Sequence, residues 1–199
     1  MTAASRDVLL RRGRLLEIAT LGWNAAGIGV LAVAALAAGS VALAGFGIDS
    51  LIEIGASTVV LWELSGTGAL RQRRALRLIA VAFAGLGGYL AVQSVVVLAT
   101  GYHARPSPMG IVWTAVTAAV MFGLAAGKRG TGRALGNDVL ITEGRVTVID
   151  GLLAVAVLAG LVLNAGFGAW WADPAAGLVI GYYAVREFVA VLGDRSSAS

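Results

Sequence analysis

The chain has 199 residues, no cysteine and a single histidine, His103. Without thiols there is neither a disulfide framework nor a thiolate site, and one imidazole cannot form a histidine cluster, so any metal held here is held mainly by oxygen. Charge is also scarce. Asp, Glu, Lys and Arg together make up 13% of the residues, about half the share of an ordinary soluble domain. With 58% hydrophobic residues and a mean hydropathy of +0.85, the composition is that of an all-α integral membrane protein. The twenty-eight glycines follow no Gly-X-Y period, which excludes a collagen-like chain and fits close helix packing in lipid. No nucleophile paired with a base, phosphate loop or His-rich motif is present, so the chain does not read as an enzyme and implies no cofactor.

What charge there is lies between apolar runs. The net charge of +4 therefore reads as a topology signal rather than a nucleic-acid surface. Six spans are expected, over residues 17–38, 41–64, 78–99, 109–126, 139–164 and 175–192. Arg6, Arg11, Arg12 and Arg14 in a lead of residues 1–16 mark the cytoplasmic face. So do Arg71, Arg73, Arg74 and Arg77 after span two, and Lys128, Arg129 and Arg133 in a Gly-rich turn after span four. Both termini then lie inside an inner (plasma) membrane, with a domain of residues 17–192, a tail of residues 193–199 and no segment left for a soluble domain. Ala35-Leu36-Ala37 and Ala42-Leu43-Ala44 resemble signal-peptide cleavage sites, but the first apolar run is too long for a signal peptide. The outer loop of residues 100–108 carries His103, read as a solvated residue. Trp170-Trp171 reads as an interfacial anchor, and Asp173-Pro174 as the N-cap and first residue of helix six.

Three acids do not belong in lipid. Asp49 and Glu53 are four apart in span two and share one helix face, and Asp150 falls at similar depth in span five. An ionised acid near the bilayer centre costs about 3 kcal/mol on insertion scales, so a convergent cluster requires protons or a cation, and exchange of one for the other is transport. Asn24 in span one can bond a neighbouring helix or lend its carbonyl to the cation. Oxygen ligands favour hard ions such as Mg²⁺ or Mn²⁺, and zinc with carboxylate and water ligands stays open. The competing reading makes these acids protonated glue between helices in a membrane scaffold or regulatory protein that does not transport. Glu63 and Glu143 are expected at the cytoplasmic rim, concentrating cations. In addition, Gly47-Ile48-Asp49-Ser50-Leu51 resembles Val148-Ile149-Asp150-Gly151-Leu152, which suits an inverted repeat of three plus three spans.

Asn24, the Asp49 and Glu53 pair followed by Gly55-Ala56-Ser57, the mid-span Asp150 and Trp171-Ala172-Asp173-Pro174 together resemble the transmembrane domain of the cation diffusion facilitator family. In form the chain looks more like the short six-span relatives that include the transmembrane protein 163 type. The resemblance implies a six-helix bundle that exports a divalent metal such as zinc, manganese, iron or magnesium against protons, as a homodimer. It implies metal ligation by Asp49, Glu53 and Asp150. The family's histidine position falls on Val146, which cannot bind metal, and the family's cytoplasmic C-terminal domain has no counterpart here.

Overall fold

A computed structural model describes residues 3–64 and 69–193, with the side chains of most of them. Six helices follow in order: α1 (Ala3–Ala38), α2 (Val41–Leu64), α3 (Ala69–Thr100), α4 (Pro108–Leu135), α5 (Asp138–Phe167) and α6 (Ala172–Gly193). No strand occurs among the described residues. α1, α4 and α5 each carry a stretch long and apolar enough to cross a membrane.

Several helices run further than the hydropathy pattern implies. The basic lead is continuous with span one as α1, and the Arg71–Arg77 cluster lies within α3 rather than in a loop. The side chains of that cluster and of Glu63, like residues 65–68 and 194–199, lie outside what is described. The Gly-rich segment after span four is likewise helix, and the turn comes only at Gly136-Asn137. Gly136 has φ of 63° and stops α4, with its N–H donating to Arg133 O and the Asn137 N–H to Gly132 O. Glycines within the segment are used for packing. A Cβ on Gly132 would stand 2.9 Å from Ile141, and one on Gly144 would stand 2.6 Å from Arg129. The bare backbones thus let α4 and α5 close on each other.

The connections gather at one end of an up-and-down bundle. The Arg105 N–H donates to Ala38 O, and Asn164 Nδ2 donates to Ala104 O at 2.8 Å. His103 is exposed and stacks on Trp170, with ring centroids 5.0 Å apart. Asp173 differs from its expected role. It lies inside the first turn of α6 and accepts from Ser40 Oγ and from the Val41 N–H, so it caps α2 across the bundle.

α2 is the central helix, packing on α1, α3, α5 and α6. The partnerships repeat three helices on: α1–α2 corresponds to α4–α5 and α2–α3 to α5–α6, while α1–α4, α2–α5 and α3–α6 pair across the halves. Three helices per half put the halves in opposite directions, as the pentapeptide match suggests. Only α2–α6 lacks a counterpart of similar extent. Toward the end where the three connections gather, the core is apolar, with Leu31, Leu43, Phe46, Leu90, Val157 and Ile180 all buried.

Candidate functional site

Periodicity positions the site. Asp49, Glu53 and Ser57 recur every four residues on α2; Glu143, Thr147 and Asp150 recur at four and three on α5; Glu17, Thr20 and Asn24 recur at three and four on α1. Each set lies on one helix face, and all nine side chains are buried. Because α2 packs against both α1 and α5, the three faces meet inside the bundle.

Of the four residues singled out from the sequence, Asn24, Glu53 and Asp150 meet directly. Asn24 Nδ2 donates to Glu53 Oε2 at 2.9 Å and to Thr20 O at 3.1 Å. Its amide nitrogen therefore faces the carboxylate and orients it. The carboxyl groups of Glu53 and Asp150 approach within side-chain hydrogen-bonding reach, and Asp49 lies within electrostatic range of Asp150. Glu53 Oε1 and Asp150 Oδ2 are buried without a hydrogen-bond partner. Orphaned acceptors in a dry interior are costly, and two acids placed face to face call for a proton or a cation between them. Among the described residues, no three His, Asp or Glu side chains are gathered tightly enough to hold a metal ion as they stand.

A second group adjoins the first, and it was misplaced by the sequence reading. Lys128 is fully buried, not a charge at the membrane face: its Nζ lies 3.1 Å from Glu17 Oε2, 3.3 Å from Glu143 Oε1 and 3.2 Å from Thr147 Oγ1. Glu143, expected at the rim with access to water, is buried against it and accepts from Ser57 Oγ at 3.4 Å. The cause is the length of α4. Its last two turns carry Lys128 about 12 Å from the Gly136 turn at helical rise. A signal was available, because Glu17 lies seven residues before Asn24 and Glu143 seven before Asp150, on the same helix faces. Charges near span ends were assigned to the interface instead.

Thr114 bonds back to Gly110 O, whereas Thr117 accepts from Trp23 Nε1 at 3.2 Å, beside a Trp23–Trp113 stack with centroids 4.9 Å apart. α4 is thus tied to α1 near the level of Asn24.

Residues 75–197 match the family model for the cation efflux transmembrane domain. The match spans more than half of the chain, so the chain belongs to that family, the one the sequence resemblance pointed to, and is a multi-pass membrane protein of the cation-transporter class. Asp150 lies within the matched segment, whereas Asn24, Asp49 and Glu53 lie before it. No curated protein matches the chain.

Proposed function

We propose that the chain carries a divalent cation out of the cell in exchange for protons, with Asp49, Glu53 and Asp150 as cation ligands and proton carriers. The observation that supports this reading is the meeting of α2 and α5, which sets Glu53 against Asp150 with an unpartnered oxygen on each. A divalent ion between these carboxylates answers their repulsion and fills the vacant acceptors. When it leaves, protons take its place, so the two cargoes bind alternately at the same oxygens. Asn24 holds Glu53 in register through its amide nitrogen. With Val146 in place of the family's histidine, the ligand set is all oxygen and suits Mn²⁺ or Mg²⁺ as well as Zn²⁺ and Fe²⁺.

Liposomes containing the purified protein test this with a metal series and an internal pH dye. Wild type is expected to couple metal movement to opposite proton movement, and Asp49→Asn and Asp150→Asn to lower both at least tenfold. Equal transport by all three proteins overturns the assignment of the site. Absence of any metal-dependent proton movement overturns the exchange and favours a scaffold.

A further inference from the structure

The buried polar groups are distributed unevenly along the bundle. From Glu53 toward the α4–α5 turn, Ser57, Thr147, Glu17, Glu143 and Lys128 follow in close succession. Toward the three-loop end, Phe46, Leu43, Leu31, Val157 and Leu161 form an apolar layer between the acids and the buried Ser40, Asn164 and Asp173 beyond it. Among the described residues, an unbroken run of oxygen ligands therefore reaches the three acids from the side of the α4–α5 turn. That direction is obstructed by an ammonium group.

We propose that Lys128 is a tethered cation standing in this route, and that a divalent ion bound for Asp49, Glu53 and Asp150 must displace it from Glu17 and Glu143. The proposal rests on the reading of the three acids as the cation site. The pocket around Nζ is already a cation position, made of two carboxylates and a threonine hydroxyl at 3.1–3.3 Å. Glu17 Oε1, fully buried beside it, has no hydrogen-bond partner and so leaves an acceptor for an incoming ion. Lysine suits the task because its charge rides on a flexible four-carbon stem that can extend toward the turn end when displaced. The gate is thus charge-selective: an anion meets Glu17 and Glu143, and only a cation can take over their pairing with Lys128.

The absence of native cysteine makes a direct test available. In Ser57→Cys protein the only thiol lies beside Glu143, and its conversion by a small cationic methanethiosulfonate reagent to a mixed disulfide, with release of methanesulfinate, reports whether the route is open. Adding Lys128→Gln together with Glu17→Gln keeps the net charge and removes the tethered cation, and disulfide formation with the reagent is expected to accelerate at least tenfold. A control thiol at Ser94, fully buried between α3 and α6, should stay slow in the same background. Equal rates at position 57 with and without Lys128 overturn the proposal, and so does an equal acceleration at position 94, which would mean general loosening. If the triple variant is recovered unfolded, Thr147→Val removes one of the three Lys128 contacts and should still raise the rate at position 57 threefold or more; no rise overturns the gate. Transport of Mn²⁺ by wild type and Asp150→Asn is measured alongside. If transport depends on Asp150 while the thiol rates are equal, the carboxylate site stands and the gate falls; if transport ignores Asp150, the site itself falls.

Discussion

At the residue scale, each buried acid has a different answer to the problem of charge in a dry interior. Asp173 is met by a hydroxyl and a backbone N–H at the start of α2, so its charge is spent on ending one helix with a side chain from another. Asp173→Ala should therefore behave as the loss of a helix cap, lowering stability by about 1–2 kcal/mol, seen as a lower unfolding temperature in detergent. Glu17 and Glu143 are met by Lys128, an arrangement in which removal of one partner is more damaging than replacement of the set. Glu53 and Asp150 are met only in part, by Asn24 and by each other. These last two, unlike Asp173, each keep a buried oxygen without a hydrogen-bond partner. The local sequence already separates Asp173, which precedes a proline at a span start, from the mid-span Asp150; which groups each one meets is set by the partner helix.

At the scale of elements, glycine shows how limited a local reading is. Gly85, Gly87 and Gly88 together suggest a close contact, yet only Gly87 makes one: a Cβ there would stand 2.6 Å from Val185 Cγ2 and 3.3 Å from Gly181 O, while the other two have nothing within 4 Å. Gly87→Leu should force α3 and α6 apart at a cost of about 1–3 kcal/mol. Gly88→Ala should be neutral or slightly stabilising, because alanine favours the helix. Thermal unfolding of the two variants side by side checks this. Helix type and order were legible from hydropathy and charge, but ends were not. The sequence places a turn from the end of span four at residue 126 to Asn137-Asp138 because glycines cluster there, and tertiary packing makes most of that segment the last turns of α4, carrying Lys128 inward.

For the whole molecule, the three connections at residues 39–40, 101–107 and 168–171 lie at one end and the α4–α5 turn at the other. Single cysteines at Tyr102 and Gly130, both exposed, should therefore react with an impermeant thiol reagent from opposite sides of a sealed membrane. By the positive-inside rule Gly130 labels from the cytoplasm; labelling of both from one side would contradict a bundle that spans the bilayer. The paired halves and the one-sided polar route belong to this scale as well. Repetition of helix partners gives two related faces, and the apolar layer closes only one of them.

The sequence alone determined that the chain is helical and membrane-embedded, because composition and apolar run length leave few alternatives, and that three acids and one asparagine stand out, because lipid makes such residues expensive. It also carried the family resemblance. Which acids meet was decided only by the tertiary structure, since that depends on α2 packing simultaneously on α1 and α5. The same packing turned Lys128 from a surface charge into a buried one, through long-range contacts that no window of residues contains.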